Sequence, residues 1–153
     1  MGNYTAYMNQ GWVKEALSKP ASVFFSPFSK KMYESFHNSS AYMAPTTKEL
    51  SNILDHEDST IRVLVLNGKR DYIANAPGTI NTLHNLQWAG AKQYRDNAWT
   101  KLPARVAQGE WKAAKDGHLV FISLENAGHM VPLDQREGSF HVIQAWLNEE
   151  WKM

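Results

Sequence analysis

Two short apolar runs decide what this chain can become. Ile61-Arg62-Val63-Leu64-Val65-Leu66 and Leu119-Val120-Phe121-Ile122-Ser123-Leu124 are rich in branched aliphatic side chains and show almost no polar alternation. A strand with one wet face alternates apolar and polar residues, whereas an unbroken apolar run of this length belongs to a strand covered on both faces. The runs therefore predict an α/β fold, in which a sheet lies between helical layers. A third strand is predicted over 109–114, joined to a strand over 118–124 by Lys115-Asp116-Gly117, because Asp-Gly is a hairpin turn signal.

The helices follow from spacing. Residues 9–18 read as a short helix that Asn9 can cap and Pro20 ends, with Trp12, Val13, Ala16 and Leu17 on one face. From Ala21 to Thr47 the signals mix, and the region reads as irregular and surface-mounted, with Met32, Tyr33 and Phe36 on one side of a short helix. Residues 20–47 are thus a candidate lid or insertion in what is otherwise a single partial domain over 1–153. A helix is predicted from Thr47, as cap, to Leu54, with Leu50, Ile53 and Leu54 buried. Another starts near Pro77, where a missing N–H is no loss. The last, from Arg136 to about Trp151, places Phe140, Ile143, Trp146 and Leu147 on one stripe, expected to face the sheet.

Each apolar run ends in a polar loop. Asn67-Gly68 should stop the first strand, and Lys69-Arg70-Asp71-Tyr72 follows; the second leads into Glu125-Asn126-Ala127-Gly128-His129-Met130-Val131-Pro132. The ends of strands in α/β folds are where sites are built. Neighbouring parallel strands would bring Asp71 and His129 to the same sheet edge. A carboxylate on one imidazole nitrogen fixes the tautomer and stabilises the imidazolium, which leaves the other nitrogen as a general base. The order Asp before His is that of α/β-hydrolases, but no serine here sits in a G-x-S-x-G elbow. Ser123 lies within a strand run and Ser139 inside a helical pattern.

Composition narrows the alternatives. A formal charge of +1 without a long basic run gives no footprint for nucleic acid or an anionic membrane. No apolar stretch approaches membrane-spanning length, and the first residues lack the pattern of a signal peptide. With no cysteine, disulfides, thiolate metal sites and a cysteine nucleophile are excluded. His37, His56, His84, His118 and His141 share no metal-ligand spacing, so no metal is expected. Asn3-Tyr4-Thr5 and Asn38-Ser39-Ser40 are acceptor sequons, at Asn3 and Asn38, for a chain that enters a secretory lumen.

These motifs together resemble the C-terminal part of the serine carboxypeptidases, α/β-hydrolases of vacuoles, lysosomes and secretions. Tyr7-Met8-Asn9-Gln10-Gly11-Trp12-Val13-Lys14-Glu15-Ala16-Leu17 is similar to the family's Y-x-N-x-x-x-V-x-x-A-L helix. Val63 to Asn75 resembles the strand and loop that bear the catalytic aspartate, here Asp71. Ala127-Gly128-His129-Met130-Val131-Pro132, followed by Asp134, resembles the G-H-M-V-P block, with His129 as catalytic base and Met130 lining the pocket for the departing residue. The likeness runs from Tyr7 to Trp151. It departs at Lys69, where the family usually has an acidic residue, at Ala74, often cysteine, and in the missing disulfide cysteines.

The resemblance implies the C-terminal portion of a serine-type carboxypeptidase that hydrolyses C-terminal peptide bonds, supplying the Asp and His of a Ser-Asp-His triad and using no cofactor. It implies peptide or protein C-termini as substrates, an upstream polypeptide carrying the nucleophilic serine, and a vacuolar, lysosomal or secreted full-length form. Two alternatives accompany it: a non-catalytic, degenerate homologue that acts as a binding protein, and an acyltransferase using the same triad.

Overall fold

A computed structural model describes residues 2–42, 44–56, 61–114 and 117–151. The chain divides into two compact units, Met1–Pro45 and Thr46–Met153.

The first unit is helical: α1 (Gly2–Met8), α2 (Gly11–Ala16), α3 (Lys30–His37) and a 3-10 turn (Ser40–Tyr42). The helix expected over 9–18 is thus shorter, and α1 precedes it. Asn9 is not its cap. Gln10 takes that position with no side-chain bond, while the Asn9 amide donates to the Phe25 carbonyl at 2.9 Å and accepts from the Phe25 N–H at 2.8 Å. This two-way link pins the following loop to the end of α1. The helix stops at Leu17, and Ser18 adopts a left-handed φ of 53°, so the chain has turned before Pro20. Of the expected buried face only Val13 is buried; Trp12 and Leu17 are exposed. Ser29 caps α3 by accepting from the Met32 N–H, and Met32, Tyr33 and Phe36 all lie exposed. The candidate lid at 20–47 overlaps most of this unit.

The second unit contains the sheet. Its elements are α4 (Thr47–Leu54), β1 (Val63–Gly68), α5 (Ala76–Asn85), α6 (Ala91–Asp96), β2 (Thr100–Lys101), β3 (Gly109–Ala113), β4 (Leu119–Leu124), α7 (Val131–Asp134) and α8 (Arg136–Leu147). The cap of α4 is Thr46 rather than Thr47, without a side-chain bond; Leu54 is buried, but Ile53 is exposed. The strands lie in the order β1-β4-β3-β2. β1 runs parallel to β4, Val63 opposite Leu119 and Gly68 opposite Leu124, and the other pairs are antiparallel. Of the turn predicted to join β3 and β4, Lys115 and Asp116 lie outside the described residues; Gly117 has φ 70°, where glycine is favoured.

Alternation along β4 divides the core into two layers. Val120, Ile122 and Leu124 pack with Val142 and Ala145 of α8, and with Trp111 and Trp151. Leu119 and Phe121 pack with Leu54, Leu83, Leu86 and Tyr94 from the helices of the other face. Every residue of β4 is buried, and each large apolar side chain so placed stabilises the fold by about 1.5–3 kcal/mol. On β3 the second face also buries Lys112. Its ammonium donates to the Arg95 carbonyl at 2.9 Å and lies 5.3 Å from the Tyr94 ring, and this burial pushes its pKa down.

The first apolar run behaves differently from the prediction. Val63 to Leu66 are only half-buried, because β1 is the edge of the sheet, with β4 as its one partner among the described residues. The strand is also displaced two residues along the chain. Arg62 leaves it to donate to the Trp146 carbonyl at 3.0 Å, whereas Asn67 and Gly68 stay in the ladder opposite Ser123 and Leu124 instead of turning.

Helix α8 presents largely a different face from the one expected, although Trp146 of the expected stripe is partly buried against the core. Gly138, Ser139, Val142 and Ala145 are buried, while Phe140 and Leu147 are 62% and 61% exposed. Close approach is the reason: a Cβ on Gly138 would come within 2.9 Å of the Ala107 Cβ, so only the small-residue face fits beneath the loop that precedes β3. The helix ends at Leu147, and Trp151 folds back beyond it, its Nε1–H donating to the Val142 carbonyl at 3.2 Å. Among the described residues no helix is long and apolar enough to cross a membrane.

Candidate active site

Two loops leave the same edge of the sheet. Because β1 and β4 are parallel and in register, residues 69–75 and 125–130 emerge side by side. The pairing continues past the strands: the Lys69 N–H donates to the Leu124 carbonyl at 2.9 Å, and the Arg70 N–H to that of Ala127 at 2.8 Å. Gly68 makes this approach possible. A Cβ there would lie 2.3 Å from the Gly128 carbonyl oxygen and 2.4 Å from that of Ala127, contacts that backbone atoms cannot relieve cheaply. Asn126, at φ 58°, bends the second loop, a conformation asparagine tolerates better than most residues.

Within these loops the His129 Nδ1 lies 3.0 Å from the Asp71 Oδ2. The other carboxylate oxygen of Asp71 accepts from the backbone N–H groups of Ile73, at 2.8 Å, and Ala74, at 3.0 Å. The Asp71 side chain is 4% exposed and that of His129 52%. Burial pushes the Asp71 carboxyl up. The hydrogen bonds from His129, Ala74 and Ile73 outweigh it, together with the His129 charge, and hold the pKa below its ordinary value. An ionised carboxylate only accepts, so His129 carries its proton on Nδ1 and donates it to Asp71. Nε2 makes no hydrogen bond to a described residue and belongs to a side chain that is half exposed.

The loop segments are themselves anchored. The Asn67 amide donates to the Ala74 carbonyl at 2.7 Å, and Asn75 caps α5 by accepting from the Gly78 N–H at 2.8 Å. On the other side Asp134 accepts from the Gly128 N–H at 2.7 Å, closing the turn that presents His129. Met130 follows directly and is 60% exposed. The structure thus brings together Asp71 and His129 and places Met130 beside them in sequence. Asn3, within α1, and Asn38, at the C-terminal end of α3, are exposed residues of the first unit. Neither Ser123 nor Ser139 is an accessible hydroxyl; both are buried, and their Oγ atoms have no partner among the described residues. The supports from Asn67, Ile73, Ala74 and Asp134 were not expected from the sequence. The helix expected to start near Pro77 is α5, but its cap Asn75 was not singled out either.

The lowered Asp71 pKa sets a pH dependence. A carboxyl whose folded value lies below its unfolded value contributes stability that is complete above the unfolded value, here 3.8. That contribution is lost as pH falls further, through the folded value. Amide-exchange protection at Ile73 and Ala74 is therefore expected to hold steady from neutrality down to about pH 4 and to fall below it. Loss of protection already near pH 6 would contradict the assignment.

A parallel strand pair carrying an acid–imidazole dyad at its carboxyl end, between helical layers, is the arrangement of an α/β-hydrolase. The chain belongs to the serine carboxypeptidase family, whose family model matches residues 1–149. It is 32% identical over 152 residues to carboxypeptidase Y homolog A of Chaetomium globosum, covering 99% of this chain and 26% of that protein. It is 27% identical over 154 residues to carboxypeptidase Y of Candida albicans, covering 95% and 26%. Among solved structures, a prohormone-processing carboxypeptidase from Saccharomyces cerevisiae superposes with a TM-score of 0.67 at 23% identity, over 95% of this chain and 31% of that one. This likeness supports the fold. The chain spans about a quarter of the length of the curated relatives it matches.

Proposed function

We propose that this chain is the C-terminal portion of a serine-type carboxypeptidase, with Asp71 and His129 as the acid and base of a Ser-His-Asp triad. The observation that carries the reading is the 3.0 Å contact between the His129 Nδ1 and the Asp71 Oδ2. In this reading a polypeptide upstream of the chain supplies the serine, and its sheet continues from the free edge of β1. The edge of β1 that no described strand pairs, the half-buried Val63 to Leu66 and the quarter-length match to relatives all support that arrangement.

The chemistry follows from the two imidazole nitrogens. The serine Oγ attacks the carbonyl carbon of the last peptide bond as His129 Nε2 removes its proton. Asp71 holds the Nδ1–H and stabilises the imidazolium. The tetrahedral intermediate collapses, the C–N bond breaks, and His129 gives its proton to the departing amino acid. Water then attacks the acyl-enzyme, with His129 again taking and returning a proton, and the shortened peptide leaves. Met130, exposed beside the base, lines the pocket for the departing residue. The full-length protein acts in a vacuole, lysosome or secretion, with Asn3 and Asn38 as glycan acceptors.

The reading is tested with a fluorophosphonate probe. The full-length protein is expected to be labelled on one upstream serine, and the 153-residue chain alone to remain unlabelled. Labelling of the isolated chain would overturn the division of the triad, and a full-length protein without a reactive serine would favour the non-catalytic homologue.

A further inference from the structure

We propose that Lys69, seated between Glu125 and Glu110, is a positioning residue that registers the Asp71 loop against the His129 loop. The proposal rests on reading Asp71 and His129 as the catalytic pair. The Lys69 ammonium lies 2.7 Å from the Glu125 Oε1 and 2.9 Å from the Glu110 Oε1. Glu125 is the first residue after β4, on the strand of loop that leads to His129, and Glu110 belongs to β3. One cation therefore joins the ends of three strands. The next residue repeats the link: the Arg70 guanidinium donates to the Asn126 Oδ1 at 2.6 Å. The third residue in line is Asp71, which meets His129. Three consecutive side chains of one loop thus each hold a side chain of the other, and the pair sits at the end of that ladder.

Charge explains the choice of residue. An acidic side chain at this position would face two carboxylates at bonding distance. A lysine turns that repulsion into attraction, and Glu125 and Glu110 raise its pKa by hydrogen bonding, ahead of the cost of burial. The ammonium is thus charged throughout the neutral and acid range. Because Asp71 follows only two residues later, a displacement of Lys69 is transmitted to the carboxylate through a stretch of backbone already committed to the Leu124 and Ala127 carbonyls. The role is to act through Asp71, without contact with the reacting atoms.

Deuterium exchange at the Cε1–H of each histidine, followed by mass spectrometry across a pH series in the full-length protein, reads the outcome. The other five histidines of this chain serve as internal references. Asp71→Asn is expected to lower the pH of half-maximal exchange at His129 by about one unit, since a charged partner is removed. Lys69→Met is expected to shift it in the same direction by roughly half a unit as the carboxylate loses register. Lys69→Arg, and the double exchange Lys69→Glu with Glu125→Lys, should both return it towards the starting value. A Lys69→Met profile that stays in place, beside a shifted Asp71→Asn, overturns the positioning role while the catalytic pair stands. A shift in Lys69→Met that neither Lys69→Arg nor the double exchange repairs also overturns it. An unmoved Asp71→Asn profile overturns both readings, because there is then no Asp71–His129 bond for Lys69 to position.

Discussion

Replacing His129 by alanine in the serine-bearing polypeptide is expected to lower kcat by about 10⁶-fold, the scale on which a triad's base acts. At 1.36 kcal/mol per decade this is about 8 kcal/mol of transition-state stabilisation. The size follows from geometry: Nε2 is the atom left free once Nδ1 donates to Asp71, and no other described group near the loop ends takes its place. Asp71→Asn is expected to cost about 10⁴-fold, because an amide in place of the carboxylate favours the wrong imidazole tautomer. The two defects should not add, since each disables the same proton transfer. Steady-state hydrolysis of a blocked dipeptide by the single and double variants checks this. Activity within tenfold of the parent in either single variant would remove Asp71 and His129 from the mechanism.

The second large effect concerns the chain by itself. A parallel edge strand with half-buried aliphatic side chains, whose outer side pairs with no described strand, invites association. Outside the sheet, Phe140, Ile143 and Leu147 form an exposed apolar face of α8, and the first unit exposes Phe24, Phe28 and Met32. Patches of this kind belong to interaction surfaces or lead to aggregation. The isolated chain is therefore expected to bind a hydrophobic dye strongly and to be poorly soluble, and co-expression with the upstream polypeptide should suppress both. A sharp cooperative melt, a well-dispersed NMR spectrum and no dye signal in the isolated chain would show that these surfaces need no cover.

What could be read from the sequence tracks how local each cause is. The strand over Leu119–Leu124 was legible because both its faces are buried and its composition says so. The same pattern at Ile61–Leu66 was misread by two residues. The tether from Arg62 to α8, and the ladder that keeps Asn67 and Gly68 extended, both depend on partners about 55 or more residues away. The face of α8 was misassigned because hydrophobicity favoured Phe140 and Leu147, whereas close packing selected Gly138, Ser139 and Ala145 for their size. In the site, Asp71 and His129 were legible from their places after apolar runs and from the family's motifs. The Lys69–Glu125–Glu110 cluster was not, because nothing in the spacing of single charges states which of them will meet.

The parallel pairing of β1 with β4 also orders events in time. β3 and β4 are consecutive and need only a short turn to meet, whereas β1 reaches β4 across 50 residues that include two helices and the β2–β3 pair. Closing so long a segment costs chain entropy before any contact rewards it, so pairings of this kind form slowly. The hairpin carrying His129 can therefore take shape while Asp71 is still distant. The dyad exists only once that crossover has closed, so the pairing of β1 with β4, and not the β3–β4 hairpin, sets when Asp71 and His129 meet.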